Sequence, residues 1–173
     1  FSMVAKETDL PIILYNVPSR TSVNMVSGTV ARLSAIKNIV GIKEASGSLV
    51  QVSEIIDSCG PDFSVISGED ALTWPILAIG GKGVISVTAN LVPDKCAKMC
   101  RAAREGDVDK AKELHYELLK LNDILFIETN PIPVKAALAL MGRIENEFRP
   151  PLCAPTEEHL SQLKTVLETY ALV

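Results

Sequence analysis

Three side chains in the first quarter of this sequence stand where they could do chemistry: Tyr15 in IILYNVP, Arg20 in PSRTS and Lys43 in NIVGIKEASGS. Around Lys43, Val40 and Ile42 fall on one face at the two-residue period of a strand, and Gly41, Lys43 and Ala45 fall on the other. An inward lysine is costly to desolvate, so it is either one half of an ion pair or an amine kept available for attack on a carbonyl carbon. Its neighbour Glu44 points the other way, and Glu69 and Asp70 are the only acidic residues expected at the carboxyl end of another strand. Tyr15 shares a face with Ile13 and Val17; it is either a core tyrosine or a phenol that can move protons. Arg20 is either an ordinary surface residue or a planar cation suited to bidentate capture of a carboxylate. An amine for a ketone, a phenol for protons and a guanidinium for an acid group together suit a keto acid.

Regular elements must hold these groups in place. Four short runs rich in Ile and Val read as strands: 11–17, 38–44, 63–67 and 83–87. Between them lie helical patterns over 24–36, from Leu49 through Ile56, and over 69–79, the last with Pro75 as a kink or early break. This β-α alternation implies a parallel sheet. From Pro93 onward the pattern is helical throughout, over 94–104, 107–126, 132–141 and 157–170, with Asp107 and Thr156 as N-caps. Where an open α/β sheet often carries a glycine-rich phosphate loop after its first strand, this sequence has YNVPSRTS, and the glycines of GGKGVISV suit close backbone approach instead. A (β/α)8 barrel fits better, because Tyr15, Lys43, Gly68, and Thr88 with Asn90 all stand at carboxyl ends of strands. The expected division is 1–92 for the second half of such a barrel and 93–173 for its final helix and a helical domain.

Composition narrows the partners. The 173 residues are 47% hydrophobic with net charge −4, and with 5% aromatics and no basic block a nucleic-acid or anionic-membrane partner is not expected. No run of about eighteen apolar residues suggests a membrane span. Cys59, Cys96, Cys100 and Cys153 form no C-x-x-C pair and are read as reduced thiols of a cytoplasmic protein, with Cys96 and Cys100 as helix residues and no metal assigned. The opening FSMVAKETD, without an initiator Met, reads as a cut inside a helix.

The segments YNVPSRTS, GIKEASG, SGED, GGKGVISVTAN and NPIPVKAAL, in this order and spacing, resemble the dihydrodipicolinate synthase family of pyruvate-dependent, aldolase-like lyases of lysine biosynthesis. The resemblance runs over essentially the whole chain and covers only the carboxyl-terminal part of the family's length. It implies that Lys43 forms the Schiff base with pyruvate and that Tyr15 relays protons. It further implies that Arg20 holds the carboxylate of the second substrate, aspartate semialdehyde, and that the main chains at Gly68 and Ile85 line the site. No metal or organic cofactor is implied, and a homotetramer built from dimers is. Sugar-acid lyases such as N-acetylneuraminate lyase share the tyrosine and lysine, but those resembling this fold generally lack an arginine at the position of Arg20.

The chain also departs from the family, because the first four β-α units have no counterpart. With them go a threonine pair for the keto-acid carboxylate, a second tyrosine from a neighbouring subunit and the lysine feedback site. Half a barrel has two open sheet edges and an uncovered face. The chain is therefore expected to be a fragment, one half of a two-chain barrel, or a non-catalytic assembly piece.

Overall fold

In the computed structural model, which describes all 173 residues, the Ile- and Val-rich runs form four parallel strands in the order β1-β2-β3-β4: β1 Ile12–Asn16, β2 Ile39–Glu44, β3 Ser64–Ser67 and β4 Gly83–Val84. Parallel strands need crossovers, and helices supply them. The first unit, Phe1–Ser86, holds α1 Ser2–Lys6, α2 Pro18–Thr21, α3 Ser27–Ser34, α4 Leu49–Cys59 and α5 Thr73–Ala78. α3 packs on β2 and α4, α4 on β3, and α5 on β3 and β4.

The helices cover one face of the sheet. Leu14, Ile42 and Val65 alternate inward to meet Val30, Val52, Ile55 and Ile76, and all seven are at most 2% exposed. Burying each such aliphatic side chain contributes about 1.5–3 kcal/mol. The residues between them in the strands, Ile13 and Tyr15 on β1 and Lys43 on β2, stand on the opposite face, where Ile13 and Tyr15 are about half exposed.

Three of the differences from the sequence expectation can be followed through named residues. The helix expected from Asn24 begins at Ser27, because the Met25 N–H donates to Asn16 Oδ1 instead of entering a helical turn. The segment 69–79 is a 3-10 turn over Asp70–Leu72 followed by α5; Pro75 sits in the first turn of α5, where a missing N–H is harmless, and neither kinks nor breaks it. β4 stops at Val84, short of Val87, and Thr88–Asn90 forms a 3-10 turn. In GGKG the close approach is at Gly81, where a Cβ would lie 2.5 Å from Ile76 Cγ2.

The second unit, Val87–Val173, is helical: α6 Pro93–Glu105, α7 Val108–Ile124, α8 Ile132–Leu140 and α9 Glu157–Thr169. Gly106 takes the left-handed conformation (φ 81°) that ends α6, and the Asp107 side chain at once caps α7 by accepting from Lys110 N. α6 packs along α7, and α9 along α7 and α8, burying Met99, Leu114, Leu118, Leu121, Leu163 and Leu167. Thr156 caps α9 by accepting from His159 N, while its own N–H donates to Glu128 Oε1 at 3.0 Å. Cys96 is buried and Cys100 half-buried in α6. No helix is long and apolar enough to cross a membrane.

Candidate active site

The carboxyl ends of β1 and β2 bring the two leading candidates together. Tyr15 and Lys43 are register partners in adjacent parallel strands, and Lys43 Nζ lies 4.1 Å from the centroid of the Tyr15 ring. Both stand on the face turned away from the helices. A cation over an aromatic face at this distance gains about 0.5–1 kcal/mol, enough to bias the lysine rotamer toward the tyrosine.

Gly68 closes the third side. Its N–H donates to Glu44 O at 2.8 Å, tying the turn after β3 to the end of β2. A Cβ there would lie 2.7 Å from Ala45 Cβ and 3.1 Å from Lys43 Cε, so only glycine lets main chain run beside the lysine stem. Ile85 follows β4; its N–H donates to Ser67 O at 3.0 Å, and its side chain is about half exposed. Arg20 is exposed on the single turn of α2, five residues beyond Tyr15.

Thr88 and Asn90, expected at the end of a strand, lie in the 3-10 turn beyond β4 and bond to other parts of the chain. Thr88 is buried and donates to Asn122 Oδ1 at 2.7 Å, and the Asn90 amide donates to Val87 O.

Acidic groups gather after β3. Burial raises the carboxyl of Glu69 above its ordinary range, the negative charges of Asp70 and Glu44 raise it further, and Lys43 opposes them. The Ser67 hydroxyl donates to Glu69 O, and Ser86 Oγ donates to Asp70.

Glu44, on the opposite side of β2 from Lys43, is a further residue of the site region. It is 1% exposed on the helix-facing side, and its carboxylate accepts from Asn16 Nδ2, Gln51 Nε2 and Ser46 N. The signal was available: alternation puts Asn16 and Glu44 on the core-facing side of their strands, and a polar group buried there must find partners.

The family model described as the dihydrodipicolinate synthetase family matches residues 1–170. The 4-hydroxy-tetrahydrodipicolinate synthase of Nitratidesulfovibrio vulgaris (strain DP4) is 53% identical over 168 residues, which is 96% of this chain and 58% of the relative. That of Thermodesulfovibrio yellowstonii is 51% identical over 173 residues, covering all of this chain and 60% of the relative. Among solved structures, dihydrodipicolinate synthase from Aquifex aeolicus superposes with a TM-score of 0.96 at 47% identity over 98% of this chain and 58% of that one. The chloride-inhibited enzyme from Acinetobacter baumannii, complexed with pyruvate, gives a TM-score of 0.96 at 40% identity over 99% and 59%. The chain spans 58% to 60% of the length of these relatives.

Proposed function

This chain belongs to the dihydrodipicolinate synthetase family, and from that premise we propose that it carries the Schiff-base half of a synthase joining pyruvate to aspartate semialdehyde in lysine biosynthesis. The observation that carries the reading is the Tyr15–Lys43 register pair, with the amine 4.1 Å from the ring centroid on the face of the sheet opposite the helices.

The Lys43 amine attacks the ketone carbon of pyruvate, forming a C–N bond as the carbonyl π bond opens. Loss of water then gives the imine. Tyr15 hands protons to and from the oxygen that leaves. Once protonated, the imine is an electron sink, so the pyruvate methyl loses a proton and the resulting enamine carbon attacks the aldehyde carbon of the second substrate. Arg20 holds that substrate's carboxylate in a charge-assisted contact. The main chains at Gly68 and Ile85 border the keto acid. The four strands are read as the second half of a (β/α)8 barrel, followed by a helical domain that contributes contacts to a cytoplasmic homotetramer built from dimers.

Incubating the full-length protein with pyruvate and borohydride should fix the three-carbon unit to the one peptide that contains Lys43. Lys43→Arg keeps the charge and removes the attacking amine, so it should abolish trapping and cut turnover severely. An unchanged mass in the unsubstituted protein, or an adduct that survives Lys43→Arg, rejects the reading.

A further inference from the structure

We propose that Glu44, with Asn16, Asn24 and Gln51, forms a positioning unit that holds the Tyr15–Lys43 pair in register and clamps the segment carrying Arg20. The proposal rests on the function assigned above and concerns residues on the other face of the sheet.

Asn16 and Glu44 are register partners one step beyond Tyr15 and Lys43, and both are at most 2% exposed. Each strand therefore presents a reacting side chain to one face and its immediate neighbour to the cluster beneath. Asn16 Nδ2 donates to Asn24 Oδ1 at 2.8 Å and to both oxygens of Glu44 at 3.2 and 2.9 Å. Gln51 Nε2 donates to Glu44 Oε2 and Asn24 Oδ1, both at 3.2 Å, while Asn24 Nδ2 donates to Gln51 Oε1 at 2.8 Å.

Two main-chain donors fix the polarity of the cluster. The Met25 N–H donates to Asn16 Oδ1, so the NH2 of that amide must face Glu44 and Asn24. The Ser46 N–H donates to Glu44 Oε1 at 2.6 Å. Both oxygens at position 44 must therefore accept, which a carboxylate does and an amide cannot. This buried carboxylate forms no salt bridge with a lysine or arginine and is held by neutral donors alone. An apolar side chain would be the easier occupant of a helix-facing position, and the carboxyl group is accounted for by the hydrogen bonds it accepts.

The cluster also explains the loop. The chain leaves β1 at Asn16, carries Arg20 on α2, and returns at Asn24 and Met25, whose side chain and main chain bond to the same group of residues. Both ends of the Arg20 segment are thus tied to the carboxylate beneath Lys43.

The test compares Glu44→Gln, Asn24→Ala and the core control Ile55→Val in the full-length protein. It follows borohydride trapping of pyruvate, KM for aspartate semialdehyde and hydrogen exchange over residues 17–25. Glu44→Gln sets an amide donor against a fixed donor, and trapping should slow about tenfold, beyond any effect of Ile55→Val at equal loss of Tm. Asn24 is exposed, so Asn24→Ala should fold; it should raise KM for the semialdehyde about tenfold and speed exchange over 17–25, and it should slow trapping less than Glu44→Gln does. Unchanged KM and exchange in Asn24→Ala, or trapping in Glu44→Gln no slower than in the control, overturns the proposal. Should Glu44→Gln fail to fold, Asn24→Ala alone decides. Absence of trapping in the unsubstituted protein rejects the function assigned to Lys43, and the exchange measurement then still decides whether the cluster fixes the segment.

Discussion

A single methyl group at position 68 should disturb both the fold and the chemistry. In Gly68→Ala the new Cβ would lie 2.7 Å from Ala45 Cβ, 3.1 Å from Lys43 Cε and 3.2 Å from Glu44 O. Carbon atoms rest at about 3.5–4.0 Å, so the contact with Ala45 needs roughly 1 Å of relief. Main chain cannot yield easily there, because the Gly68 N–H is bonded to Glu44 O at 2.8 Å and Ala45 is 5% exposed. Overpacking of this kind costs about 1–3 kcal/mol, read as a lower urea midpoint at constant slope. The Lys43 stem is the softest neighbour and should be pushed aside, so pyruvate trapping should slow as well. Adding Ala45→Gly removes the nearest atom, and the double variant should recover about 1 kcal/mol relative to the sum of the two single changes. A Gly68→Ala protein within about 0.5 kcal/mol of the parent that traps pyruvate at the parent rate would refute the reasoning.

Two further outcomes are expected. Arg20→Ala should cost about 1.5–3 kcal/mol in kcat/KM for aspartate semialdehyde while leaving imine trapping intact, and equal damage to both would assign Arg20 to the fold. Burial first, and then the charges of Asp70 and Glu44, raise the Glu69 carboxyl above the ordinary 4.5, so the folded state holds this proton more tightly than the unfolded chain. That contribution to stability is complete below pH 4.5 and is lost as pH rises through the raised folded value; Glu69→Gln should flatten this part of the unfolding profile measured by urea titration from pH 4 upward.

What could be read from the sequence was whatever short-range periodicity dictates. Alternation along IILYNV and IVGIKE separates Leu14 and Ile42 from Tyr15 and Lys43, and the structure keeps that separation. Helix caps at Asp107 and Thr156 are equally local and were equally legible. Two of the differing boundaries lie where a partner outside the local pattern takes over. The helix starting late at Ser27 depends on Asn16, and the early end of β4 accompanies a turn whose Thr88 bonds with Asn122, 34 residues away. The cluster around Glu44 draws on residues 16, 24, 46 and 51, so no single window of sequence contains it. The residue pattern by itself leaves both the ion-pair and the nucleophilic reading of Lys43 open, and the family resemblance alone implies the second. The nearest aromatic neighbour of Lys43 comes from another strand, and the close approach of Gly68 is a property of the turn, invisible in the letters SGED.

The two-sidedness of the sheet bears on how such a site could be altered by design or by descent. Ile13 and Ile66 lie on the same face as Lys43 by strand register, while the residues that lock the strands to the helices lie beneath. Substitutions at Tyr15 and Lys43 leave Leu14, Ile42, Val65 and the Glu44 cluster untouched, so the face that bears the amine and the face that packs on the helices are interleaved at every second residue and can vary separately.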